Sequence, residues 1–236
     1  MNILSFFEKI YLINLDERTD RWEKCLDIFQ QYEFNSYERI SGVKPLEEDF
    51  PYLDQKSRSQ LGCSLSFYRI IKNAYEKQFE NILILEDDFY FIYSKEKTYE
   101  ILKNSIENLP ENWDVFYLGG NIMYDFSNNP LSLFKEKLFK LNSSYCTHSI
   151  SFSKKGISIF IDEFPSEIIF IKNIVEDYKV IDVFMAREFC KNNLCFIPNE
   201  MLCSQIAGFS SIENCVTDYS DLITRHKNCI DSLNLQ

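Results

Sequence analysis

In the 236-residue chain, the stretch Asn81-Ile-Leu-Ile-Leu-Glu-Asp-Asp-Phe89 runs from aliphatic side chains straight into three carboxylates, Glu86, Asp87 and Asp88. A short apolar run of this kind reads as a buried strand. In open α/β sheets, ligands bind beyond the carboxyl ends of the strands. Side chains alternate along an extended segment, so Glu86 and Asp88 are expected to share a face, with Asp88 the more open to a ligand and Asp87 turned back to hold the turn. Two carboxylates on one side suit a hard divalent cation that keeps some waters and also binds a diphosphate. The competing reading is a strand end surfacing into solvent.

Other candidates are spread along the chain. In "INLDERTDR" the Asn14 amide can hydrogen-bond a base or ribose, and the guanidinium forks of Arg18 and Arg21 suit phosphate; the bland alternative is a capped helix with surface arginines. Asp182, in "KVIDVFMA", is an acid in apolar surroundings, read as a helix N-cap, as a general base toward a hydroxyl, or as both. The only histidines are His148, expected near a strand flanking the site, and His226, placed in a polar tail. Gly62 and Ser64 allow close packing or close approach of a ligand, and Cys63 between them reads as a packing residue rather than a nucleophile.

These residues need elements to hold them. "IYLINL" (10–15) reads as a strand. A helix follows in which Trp22, Cys25, Leu26 and Phe29 fall at helical spacing, with Asp20 and Glu23 resembling a capping box. "NSYERI" (35–40) would complete a βαβ opening. Residues 41–58 read as a loop punctuated by Gly42, Pro45 and Pro51, and 60–78 as a helix. The strand 81–86 is followed by a helix over 95–108 capped by Ser94. "WDVFYLGG" (113–120), "THSISFS" (147–153) and "LCFIP" (194–198) read as further strands, with Ser153 capping a helix. Strands alternating with helices imply an α/β fold with a mainly parallel central sheet, in one domain over 1–236.

Composition narrows the partners. Hydrophobic residues make up 45% of the chain and charged residues 26%, as in an ordinary globular protein. A net charge of −11 argues against capture of nucleic acid or anionic lipid, although a local pocket of Arg and metal can override the global field. The eight cysteines include no C-x-x-C pair, so they read as reduced and mostly buried, with disulfides among the C-terminal ones left open. No apolar run reaches membrane-spanning length. With no secretory pattern at the start, the expectation is a cytoplasmic protein of bacterial or viral origin, touching a membrane only peripherally. Nothing in the sequence sets an oligomeric state.

Taken in order, "IYLINLDERTDR", "LGCSLSFYRII", "NILILEDDF", "WDVFYLGG", "THSISFSKKG", "VIDVFMA" and "IPNEMLCSQIAGFSSI" resemble glycosyltransferase family 25, which includes bacterial lipooligosaccharide galactosyltransferases and collagen hydroxylysine galactosyltransferases. The resemblance implies a GT-A type α/β fold and a UDP-sugar donor carrying galactose or glucose. It also implies Mn²⁺ or Mg²⁺, inversion at the anomeric carbon, and a hydroxyl acceptor on a glycan, lipid-linked glycan or protein. It places Asn14, Arg18 and Arg21 in the donor-binding motif and Glu86–Asp88 in the acidic motif; the alternation of side chains then puts Glu86 and Asp88 on the metal and Asp87 on the donor side. Asp182 matches a later "vD" element, and Gln205 the glutamine before an "S-D-I" element. Two positions depart from the pattern: Phe67 stands where G-C-x-x-S-H has His, and Ser211 where S-D-I has Asp. Those departures keep open a catalytically inactive nucleotide- or carbohydrate-binding protein. Metal-dependent phosphotransfer or nucleotidyl transfer is a third reading.

Overall fold

The computed structural model describes residues 3–122, 129–164, 180–210 and 212–233. The chain opens with β1 (Lys9–Asn14), α1 (Thr19–Gln31) and β2 (Glu38–Ser41), and continues with α2 (Gln55–Lys77), β3 (Asn81–Glu86), β4 (Phe89–Phe91) and α3 (Lys95–Asn108). The middle holds β5 (Val115–Tyr117), β6 (Leu131–Lys135), β7 (Leu138–Leu141), β8 (Ser149–Ser153) and α4 (Lys154–Glu163). Then α5 (Ile181–Phe184) runs through a π-helical turn, Met185–Phe189, into Cys190–Asn192. The chain ends with β9 (Cys195–Pro198), β10 (Cys203–Gln205), β11 (Gly208–Ser210), β12 (Cys215–Thr217) and α6 (Asp221–Leu233).

Eight strands form one sheet in the order β2-β1-β3-β8-β5-β9-β7-β6. β1 runs parallel to β2 and β3, and β5 parallel to β9. β8 lies antiparallel between β3 and β5, and β7 antiparallel between β9 and β6. All strands except β7 and β8 therefore point one way, which agrees with the α/β, mainly parallel sheet expected.

Alternation along the strands divides the core. Tyr11, Ile82, Ile84, Ile150 and Phe152 face one layer with α2, α4 and α5. Ile10, Leu12, Leu83, Leu85 and Phe116 face the other, with α1 and α3. Burial on both faces explains why β3 is an unbroken aliphatic run.

Several local expectations need correcting. No capping box starts α1: Arg18 is the N-cap without a side-chain bond, and Asp20 instead accepts both 2.9 Å bonds from the Arg18 guanidinium. α2 begins five residues before the expected 60, because Asp54 caps it through Ser57 N–H at 2.7 Å. Asp182 is not an N-cap; Val180 precedes α5, and the Asp182 carboxylate accepts from the neighbouring Val183 N–H at 2.8 Å. His226 lies not in a tail but on α6, buried, with Nε2 3.0 Å from the Pro198 carbonyl. The cysteines, by contrast, match their reading as reduced and mostly buried: all eight are free, and only Cys215 is exposed.

Candidate active site

The register of β1 on β3 pairs Ile13 with Glu86, so Asn14 and Asp87 emerge side by side at the carboxyl ends of adjacent parallel strands. Asn14 Nδ2 donates to Asp87 Oδ2 at 2.7 Å. Its Oδ1 accepts twice from Arg39, at 2.9 and 2.7 Å. Asn14 is almost completely buried and all its hydrogen-bonding capacity faces protein. The structure thus places it behind the acids as their support, not on the cavity surface.

Beyond these strand ends opens a cavity of about 560 Å³, a size that suits a small-molecule ligand. Glu86, Asp87, Asp88, Arg18, Arg21, Asp182 and Gln205 all line it. Asp87 and Asp88 form the turn between β3 and β4. Arg21 reaches up from the first turn of α1 and donates through Nη1 to Asp87 Oδ1 at 2.6 Å and Asp88 Oδ2 at 3.1 Å. β10 pairs antiparallel with β4, setting Gln205 opposite Phe89, and Gln205 Nε2 then donates to Asp88 Oδ1 at 3.3 Å. On the other side Thr147 Oγ1 donates to Glu86 Oε1 at 3.1 Å.

Electrostatics follow from burial. Glu86 is pushed up from the ordinary 4.5 to about 8, chiefly by desolvation and then by the negative charge of Asp88. Burial also raises Asp87, against the opposing pull of Arg21 and Asn14, and raises Asp182. Arg21 keeps its charge more firmly than usual: burial opposes it, but Asp88 and Asp87 outweigh that cost. Cys63 and Cys146 line the cavity, yet burial raises both thiols far above the usual range, which removes them as nucleophiles at neutral pH.

The cavity wall carries more acid than base. The outer charges cancel in pairs: Lys44 with Glu17, Arg58 with Glu47 at 3.4 Å, and Lys56 with Glu213 at 2.7 Å. At the inner end Asp87 and Asp88 share the single Arg21, and among the described residues neither Glu86 nor Asp182 forms an ion pair. An anionic diphosphate would meet net repulsion there unless a cation came with it.

The donor set fits a hard cation. Asp88 and Glu86 offer carboxylate oxygens, and Gln205 lines the cavity beside them. Among the described residues no group of three or more His, Cys, Asp or Glu side chains is arranged to cage a metal. A cation here would draw remaining ligands from water and substrate, as Mg²⁺-type sites commonly do.

The remaining candidates are placed as follows. Arg18 lines the cavity, but its guanidinium is committed to Asp20. His148 is wholly buried behind β10, with Nε2 3.4 Å from the Cys203 carbonyl, and burial lowers it to about 4. Its backbone carbonyl accepts the Glu86 N–H at 2.9 Å, so its main chain holds the acidic motif. Phe67 is buried at the cavity wall, and Ser211 lies outside the described residues.

Sequence reasoning missed Thr147, the loop residues Lys44 and Glu47, Arg58 of α2, and the β11–β12 hairpin. One signal was available for the loop. A Cβ at Gly62 would sit 2.3 Å from the Val43 carbonyl oxygen, so Gly62 serves close packing of α2 against residues 42–46, which brings that loop over the cavity.

A cavity at the carboxyl ends of the strands is where open α/β sheets take their ligands. The family model for glycosyltransferase family 25 (LPS biosynthesis protein) matches residues 7–173, and the chain belongs to that family. Human procollagen galactosyltransferase 2 is 28% identical over 129 residues, covering 48% of this chain and 21% of the relative. A glycosyltransferase 25 family member of Aedes aegypti is 27% identical over 175 residues, covering 67% and 28%. Human inactive glycosyltransferase 25 family member 3 is 26% identical over 129 residues, covering 48% and 22%. The chain thus matches between 21% and 28% of the length of these relatives. Among solved structures, a glycosyltransferase involved in the glycosylation of the major capsid of PBCV-1 aligns over 95% of this chain and 98% of its own, at 14% identity and a TM-score of 0.38.

Proposed function

We propose that the chain is a metal-dependent, inverting hexosyltransferase that moves galactose or glucose from a UDP-sugar to a hydroxyl of a glycan, lipid-linked glycan or protein acceptor. The observation that carries this reading is the acid-rich inner cavity, lined by Glu86, Asp88 and Asp182, in a member of a glycosyltransferase family. A bound Mn²⁺ or Mg²⁺ supplies positive charge against the departing diphosphate. Asp88 and Glu86 hold that cation, and Asp87, fixed by Asn14 and Arg21, keeps their turn rigid.

Asp182 has the properties of the base. It faces the cavity from the start of α5, and burial raises its proton affinity above that of an ordinary aspartate, which improves proton transfer near neutral pH. In a direct displacement the acceptor hydroxyl loses its proton to Asp182. Its oxygen forms the new bond to the anomeric carbon as the bond to the UDP oxygen breaks.

One observation favours a second reading, a binding-only protein: Phe67 brings no polar atom to the cavity wall where the family pattern has His. A thermal-shift screen of nucleotides and nucleotide sugars with Mn²⁺ separates this donor preference from others, because a ligand that binds only the native state raises Tm. Stabilisation by UDP and UDP-hexoses, dependent on Mn²⁺, is expected. Equal responses to every nucleotide would defeat the UDP assignment, and UDP binding without sugar transfer to any acceptor would favour the binding-only reading.

A further inference from the structure

The β11–β12 hairpin forms one wall of the cavity through Phe209, Ser210 and Thr217, yet little apolar packing holds it there. Phe209 and Val216, paired across its two strands, are 48% and 76% exposed. Its ties to α2 lie at the surface: Lys56–Glu213, whose side chains are 50% and 42% exposed, and Gln55 Nε2 to Asn214 Oδ1 at 3.4 Å. Exposed contacts of this kind hold weakly.

The tie to the protein interior is different. Arg21 is only 17% exposed in its side chain. While Nη1 binds Asp87 and Asp88, Nη2 donates to the backbone carbonyl of Phe209 at 3.1 Å. At the base of the hairpin Ile206 N–H donates to the Asp88 carbonyl at 2.7 Å.

From this geometry we infer that Arg21 is a positioning residue: it ties the hairpin wall to the acidic motif instead of gripping the donor phosphates. Nη1 and Nη2 both donate to protein oxygens, and the fork geometry of a guanidinium is what lets one side chain serve three acceptors. This rests on the family reading only for its consequence, that the wall placed by Arg21 encloses a transferase site. The link itself is independent of turnover.

Hydrogen exchange on the intact chain tests the link. Arg21→Lys keeps a charge beside Asp87 but cannot span the acids and the Phe209 carbonyl. Amides of β11 and β12 are expected to exchange at least about tenfold faster, with protection in β1 and β3 unchanged. Asp87→Asn reads the same link from its other end and is expected to speed the same amides, so the test survives if Arg21→Lys fails to fold. Unchanged hairpin exchange in the folded variants overturns the inference, above all if UDP affinity falls at the same time, because that pattern belongs to a phosphate ligand.

Discussion

Asp88 has one oxygen on Arg21 and the other facing Gln205. Removing its carboxylate would take away one of the two cation ligands proposed above while leaving Asp87 and its bonds to Asn14 and Arg21 in place. Asp88→Ala is therefore expected to lower sugar transfer by about 10²–10³-fold, the usual cost of losing one electrostatic contact to the transition state, and to abolish the Mn²⁺-dependent rise in Tm. Glu86 gives a pH signature. Its folded-state pKa is raised from 4.5 to about 8, so the ligand-free fold binds the proton more tightly than the unfolded chain. Its stabilising contribution is full below about pH 4.5 and is lost as pH rises through about 8. Glu86→Gln should flatten the fall in Tm across that window, and parallel Tm–pH curves for the two proteins would contradict the assignment. Cation binding should tighten over the same range as Glu86 ionises. Three acids at a strand end were readable from the sequence, because an aliphatic run that stops in carboxylates is a local pattern. The roles of their neighbours were not. That Asn14 supports Asp87, and that Arg21 binds two acids and a distant carbonyl, depends on strand register and a contact 188 residues away in sequence.

The elements that form this site divide along the same line. β1, β3, α3 and β9 were legible because each carries its own periodicity or run, and Ser94 and Ser153 were legible as caps. Of the three-residue strands, β5 was legible inside the apolar run "WDVFYLGG", whereas β4, β10, β11 and β12 were not, since a strand that short without such a run is defined by its partner more than by its residues. The α1 capping box failed because the Arg18 fork claimed Asp20. At the N-terminus of α2 the Asp54 cap is predicted to contribute about 1 kcal/mol, measurable as a lower urea midpoint in Asp54→Ala with an unchanged m-value. Gly62→Ala is a stronger perturbation, because a Cβ there falls 2.3 Å from the Val43 carbonyl and something must shift, at roughly 1–3 kcal/mol. Displacement of the 42–46 loop should then weaken ligand binding as well as stability. An unchanged Kd in a destabilised Gly62→Ala protein would show that the loop does not shape the site.

Across the whole molecule, the sheet and the distribution of charge work together. Six strands pointing one way deliver β1 and β3 to the same edge, and the C-terminal segments β10 to β12 return to close that edge. Although the chain carries a net charge of −11, the excess acid that matters is local, concentrated where Arg21 alone neutralises the Asp87–Asp88 turn. No helix among the described residues is long and apolar enough to cross a membrane. The measurement that bears most directly on the account is release of UDP from UDP-galactose with Mn²⁺ and an acceptor panel, comparing the native chain with Asp88→Ala. Mn²⁺-dependent release by the native chain that falls at least about a hundredfold in the variant is the predicted result. Release undiminished in Asp88→Ala, or unaffected by removing the metal, would contradict it.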